Sequence, residues 1–176
     1  MYLQGTHIQL RALEPEDVEI MYTIENDTSL WEVSNRQVPY SRSVIRDYIQ
    51  GTQYDLFADR QLRLIMALRT TGEVVGTIDL TDFDPQHARA EVGVVVLAHQ
   101  QGKGYASEGL RLICDYAFRF LRMEQLLAHI ATDNEVSLHL FESCGFSRCG
   151  IIKRWWNMEG EFKDVHLLQR LRDEEA

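Results

Sequence analysis

Residues 90–107 constrain the architecture of this chain more than any other stretch. An apolar segment of strand length, residues 90–98, runs into Gln101-Gly102-Lys103-Gly104-Tyr105-Ala106-Ser107, and an amphipathic segment begins in that loop and continues to residue 122. In the latter, Ala106, Leu110, Ile113, Cys114, Ala117, Phe118 and Leu121 recur at helical spacing, so one stripe faces a sheet. Glycines at 102 and 104 remove the Cβ atoms that hinder close backbone approach. The first N–H groups of a helix lack intrahelical acceptors and point outward, which makes the loop a phosphate cradle suited to a pyrophosphate. The alternative is that the glycines only turn the chain tightly. The loop has neither the third glycine of G-x-G-x-x-G nor the spacing of a P-loop, which excludes a dinucleotide fold and an NTPase.

The remaining segments arrange themselves around that unit. Residues 6–13 read as a strand, and Pro15 opens a helix to about residue 26 with Glu16, Asp17 and Glu19 in its first turn. Ser41 caps a second helix to about residue 50, and residues 63–69 and 73–80 flank Thr71-Gly72 as a hairpin. After the central helix come a strand over 125–132, a helix over 135–144 opened by Asn134, and strands over 147–156 and 162–171 joined by Asn157-Met158-Glu159-Gly160. This is a mixed α/β order. No repeat, low-complexity tract or linker breaks the 176 residues, and 45% apolar content suffices for one core, so a single domain over 1–176 is expected.

Charge and cysteine usage narrow the partners. A net charge of −9 without a Lys/Arg cluster argues against nucleic acid. It favours cationic ligands, with ten acids against five bases over residues 1–60; acidity for solubility is the other reading. Cys114, Cys144 and Cys149 form no C-x-x-C pair, and their odd number argues against a disulfide framework. No signal-like opening and no segment of membrane length is present, so a cytoplasmic protein without a membrane partner is expected. Histidines at 7, 87, 99, 129, 139 and 166 show no ligand spacing, and no metal is expected.

Gln101-x-x-Gly104-x-Ala106 resembles the acyl-CoA signature (Q/R)-x-x-G-x-(G/A) of the GNAT N-acetyltransferases. Asn134-x-x-Ser137 and Glu142-Ser143-Cys144-Gly145-Phe146 resemble the family's next block at about its spacing. Ala90-Glu91-Val92-Gly93 and the run from Trp156 to Val165 are similar to the bacterial branch that holds spermidine and diamine acetyltransferases and ribosomal-protein N-terminal acetyltransferases. The resemblance implies a GNAT-like fold: a mixed, mostly antiparallel sheet of about six to seven strands, about four flanking helices, and a splayed strand pair that binds acyl-CoA. It implies acetyl-CoA as co-substrate, with Gln101, Gly102, Lys103, Gly104, Tyr105, Ala106 and Ser107 at the pyrophosphate. The backbone of Val94, Val95 and Val96 would pair with the pantetheine arm as an added strand does, and Asn134, Ser137 and Phe141 would flank it. A homodimer or higher homo-oligomer is also implied.

The chemistry of such a reaction requires a neutral amine to attack a thioester carbonyl. Glu91, one strand length before the phosphate loop, is the candidate base or orienting group; its alternative is a solvated strand carboxylate paired with Arg89 or Arg63. In many relatives a tyrosine protonates the departing thiolate, but the matching position here is Phe141, which leaves Ser137, Cys144 or water. Cys144 as a nucleophile is disfavoured, because no partner histidine is evident. Asp79, Asp82 and Asp84 offer an anionic mouth, with Trp31 and Phe83 as aromatic neighbours for an alkylammonium; residues 82–85 also read as an ordinary turn. Relatives that bind a second polyamine carry acids in the loop after helix one, and Ser34-Asn35-Arg36-Gln37-Val38-Pro39 largely lacks them. Trp155 and Trp156 should present their rings to opposite faces. The leading expectation is an N-acetyltransferase acting on a polyamine, diamine or other small primary amine. A protein N-terminal acetyltransferase and a catalytically weak CoA-binding sensor are the alternatives.

Overall fold

The computed structural model describes residues 2–28, 30–31, 38–51, 55–158 and 160–173. In chain order these form β1 (Ile8–Arg11), a 3-10 turn (Pro15–Asp17), α1 (Val18–Asn26), α2 (Arg42–Gly51), α3 (Leu56–Asp59), β2 (Leu62–Leu68), β3 (Val74–Asp84), β4 (Arg89–Val96), α4 (Tyr105–Asp115), β5 (Gln125–Ala131), α5 (Glu135–Ser143), β6 (Ser147–Met158) and β7 (Glu161–Leu171). The seven strands lie in one sheet in the order β1-β2-β3-β4-β5-β7-β6. Every neighbouring pair is antiparallel except β4 and β5.

Strand β2 explains how the sheet is covered. Its sequence is nearly continuous in apolar residues because it is buried on both faces. Leu64 and Met66 join the large core with Leu110 and Ile113 of α4 and Leu138 and Phe141 of α5, whereas Ile65 and Ala67 pack with Val18 and Met21 of α1 and Ile45 of α2. Gly109 lets α4 lie close to the sheet, since a Cβ there would stand 2.6 Å from the Met66 sulfur.

Several boundaries differ from those the sequence predicts. Strand β1 is only four residues long, because Arg11 turns to Asp17 (2.7 and 2.8 Å) and Asp17 also accepts the Glu14 N–H, drawing the chain out of the sheet into its first helical turn. Five α-helices are present among the described residues instead of four; the extra one, α3, is a single turn capped by Asp55, which accepts from the N–H groups of Phe57 and Ala58. Helix α4 stops at Asp115 and a π turn over Tyr116–Phe120 takes its place, with Ala117 and Phe118 still buried. Strand β3 runs on to Asp84 across a bulge in which Asp82 has φ +47°. That bulge buries Phe83, which packs edge-on against Phe57 and is withdrawn from any ligand-facing role. None of the described helices is long and apolar enough to cross a membrane.

Candidate active site

The parallel pair β4–β5 is joined over only a short stretch, Arg89↔Gln125, Ala90↔Leu126 and Glu91↔Leu127. Beyond it the strands diverge and leave a groove of about 300 Å³, walled by residues 92–94 on one side and 129–131 on the other. Val94, Val95 and Val96 pair on their other side with Ile78, Thr77 and Gly76, so their β5-facing backbone groups have no strand partner. Asn134, Ser137 and Phe141 line the same groove. The Asn134 side chain caps α5 by accepting the Ser137 N–H at 3.1 Å, and Phe141 is buried edge-on against Phe146.

The loop 101–104 stands exposed past the C-terminal end of β4, and residues 105–107 are half-buried. Gly102 and Gly104 have φ of +74° and +84°, a conformation that side chains disfavour, and a Cβ at either would face open space. The Gln101 amide donates back to the Val96 carbonyl (3.1 Å), and the Lys103 ammonium donates to the buried Gln100 (2.8 Å), which in turn donates to Glu73 (2.6 Å). Tyr105, Ala106 and Ser107 form the first turn of α4, whose N–H groups lack intrahelical acceptors. Ser107 lies 3.7 Å from the Cys144 sulfur, which also meets the Ser107 carbonyl, so this buried thiol serves helix packing and does not line the groove. Burial pushes the Cys114 thiol up to about 12. A positive-φ glycine loop at a helix start, preceded by an unpaired strand edge, fits a pyrophosphate joined to an extended amide-bearing arm.

A second cavity of about 450 Å³ adjoins the groove, and the two share residues 92–94, His129 and Trp156. Among the described residues it gathers four carboxylates, Glu25 of α1, Asp79 and Asp82 of β3 and Glu91 of β4, against one guanidinium, Arg63 of β2. Arg63 is held by Asp79 in a two-point contact, 2.7 Å at each oxygen, and by Glu25. Burial pulls the Arg63 pKa down, but Asp79 and Glu25 override it and hold the group above its ordinary value. Asp79 therefore reaches the cavity already paired.

Glu91 has neither of the arginine partners considered above. Its carboxylate lies 2.9 Å from Nδ1 of His129, while Arg89 turns to Asp84 at 3.3 Å. The hydrogen bond to Glu91 raises the His129 pKa; burial opposes it, and the charges of Glu91 and Asp82 add to the rise. The Trp155 ring stacks on His129, with centroids 6.0 Å apart at 16°. Trp155 and Trp156 do not separate to opposite faces: Arg154 has φ +51°, the register slips between Ile152 and Trp156, and both indoles line the cavity. Trp31 does not line it, since its N–H is committed to the Glu25 carbonyl at 2.9 Å, and Leu30 takes the lining position. Residues 34–37, whose lack of acids bears on a second polyamine site, lie outside the described residues.

Glu25 and His129 are among the lining residues that were not expected at the site. Glu25 carried a signal, because it stands four residues after Met21 and seven after Val18 on the apolar stripe of α1, where a carboxylate is out of place. His129 carried none, since only the β4–β5 divergence brings it to Glu91.

Residues 7–147 match the family model described as Acetyltransferase (GNAT) domain. The chain is 29% identical to the uncharacterized N-acetyltransferase p20 of Bacillus licheniformis over 99% of this chain and 98% of that protein. It is 26% identical to spermidine N(1)-acetyltransferase of Escherichia coli (strain K12) over 90% of this chain and 82% of that one. The fold superposes on spermidine N-acetyltransferase from Vibrio cholerae, solved in complex with CoA and spermine, with a TM-score of 0.86 at 22% identity, covering 96% of this chain and 97% of that chain. The chain belongs to the GNAT acetyltransferase family. It is an acetyl-CoA-dependent N-acetyltransferase, with the mostly antiparallel mixed sheet that its sequence predicts.

Proposed function

We propose that this enzyme transfers the acetyl group of acetyl-CoA to the primary amine of a polyamine, diamine or similar small cation, by direct attack in a ternary complex. The observation that carries this reading is the junction of the two cavities at residues 92–94 and His129, with four carboxylates gathered on one side of it, whereas Asp133 on the groove side is paired with Lys163 at 3.1 Å. On this reading the 101–107 loop holds the pyrophosphate through backbone N–H groups, Val94 to Val96 pair with the pantetheine amides, and Asn134, Ser137 and Phe141 flank the arm. The amine enters among Glu25, Asp79, Asp82 and Glu91, where the negative excess attracts a cation and the faces of Trp155 and Trp156 suit its apolar stem. Trp31 contributes indirectly, by tethering the end of α1 that carries Glu25. Gly93 lies at the passage with only open space before it, so attack there meets no side chain.

An alkylammonium of pKa near 10.4 is neutral in only about one molecule in 2500 at pH 7, so the site must assist deprotonation. On this reading Glu91 gives that assistance, as base or as orienting group. The edge strand β6, exposed along most of its length, supports a homo-oligomer, since a long unpaired edge invites a second copy. Thiol release measured over polyamines, diamines, amino acids, aminoglycosides and N-terminal peptides tests the substrate. Polyamines and diamines are expected to give the highest kcat/KM. A peptide N-terminus that outranks every small amine would move the assignment to protein N-terminal acetylation, and CoA binding without turnover of any amine would make the protein a sensor.

A further inference from the structure

We propose that His129 is the group that moves the proton in this reaction, and that Glu91 is a positioning residue acting through it. The inference rests on the amine acetylation proposed above and assigns the proton chemistry of the same site. His129 lines both cavities, so its ring borders the amine and the thioester alike. Its Nδ1 faces Glu91 at 2.9 Å, which leaves Nε2 as the ring nitrogen open to the reactants in the cavities that His129 lines. A carboxylate that accepts from Nδ1–H fixes the neutral tautomer with its lone pair on Nε2, and stabilises the imidazolium once that lone pair is protonated. Carboxylates are ordinarily much weaker bases than imidazoles, so the imidazole, whose pKa the Glu91 hydrogen bond raises, is the better match for an amine proton at neutral pH.

The protons balance without another acid. The bound ammonium sheds one proton to solvent. As the C–N bond forms, the nitrogen gives a second proton to Nε2; as the C–S bond breaks, Nε2 returns it to sulfur. Ammonium and thioester thus become amide, thiol and one released proton, and the His129–Glu91 pair ends as it began. Phe141 in place of a tyrosine is then no defect. The charged groups around His129 are Glu91 on β4 and Asp82 on β3, with Arg60, Asp84 and Arg89 across the shallow outer side; along the groove Lys163 of β7 is paired with Asp133 at 3.1 Å.

The test compares native enzyme, His129→Gln and Glu91→Gln. His129→Gln should leave CoA affinity by calorimetry within about twofold and lower kcat at saturating amine by about 10²-fold or more, removing the lower limb of the kcat–pH profile. Glu91→Gln should lower turnover by about 10²-fold and displace that limb to lower pH without abolishing it. Nitrogen NMR of the His129 ring in enzyme without amine should show the Nδ1–H tautomer when neutral, and a titration midpoint that falls in Glu91→Gln. A lower limb that persists in His129→Gln, or a neutral ring protonated at Nε2, overturns the proposal. The tautomer is read without an amine, so an empty amine screen would count against the substrate assignment alone.

Discussion

The two cavities that meet at His129 are built in opposite ways. The groove side is made mostly of backbone: a diverging strand pair, two positive-φ glycines and a capped helix start, with Asn134, Ser137 and Phe141 as flanks and Asp133 paired with Lys163. The amine side is lined by charged and titratable side chains, delivered by α1, β2, β3, β4 and β5, and includes an ion cluster around Arg63. A backbone site keeps its shape when side chains change, so it suits the constant reactant. A charged side-chain site can be retuned one residue at a time, but each change leaves a buried charge to be answered.

The strongest way to break this contrast is Arg63→Met. It leaves Glu25 and Asp79 without their shared cation, and losing one partner of a buried pair costs about 3–5 kcal/mol. Urea unfolding should show a loss of that size, and adding Asp79→Asn should recover part of it. A loss below about 1 kcal/mol would mean that the cluster is solvated like a surface pair.

On the backbone side, Gly104→Val forces a β-branched residue to φ +84° and places its side chain in the open space before the first turn of α4. CoA affinity should weaken by about 2 kcal/mol or more, roughly 30-fold, as N–H contacts are lost. Lys103→Ala should cost much less, because that ammonium is engaged with Gln100. Calorimetry in which the two variants rank in the reverse order would shift the cradle from backbone to side chain.

The same contrast explains what the sequence disclosed. Loop 101–107, the Asn134 cap and the hairpin around Gly72 are local, and their residue types announce the backbone they need. The Arg63–Asp79 contact needs the β2–β3 register, in which the two are Cα partners, and Glu25 must then arrive from a helix that packs on the other core. No periodicity encodes that meeting. The alternation rule failed at Trp155 and Trp156 because one bulge at Arg154 resets it, and the turn reading of residues 82–85 failed because burying Phe83 outweighed the turn propensity of its aspartates.

Phe141→Tyr sharpens the boundary between the regions. The ring lines the groove but packs on Phe146, so a hydroxyl there would enter a wall that is already complete. If the site needs no acid at this position, turnover should rise by less than about tenfold, since a proton donor helps only when protonation limits the rate. A larger gain would mark the native enzyme as impaired in thiolate release.

The smallest expected effect lies at the contact between the regions. The His129 pKa is raised in the folded protein, so its pair with Glu91 stabilises the fold fully below the unfolded value of about 6.5 and loses that contribution as pH rises through the folded value. A half-screened pair of this kind is worth up to about 1 kcal/mol. Glu91→Gln removes the pair at every pH. The melting temperature of the native enzyme should therefore exceed that of the variant most near pH 6, and the difference should shrink toward pH 9. A difference that stays constant or grows over that window would show that the imidazole is not held charged by Glu91, and would separate the two carboxylate-facing groups that the cavity brings together.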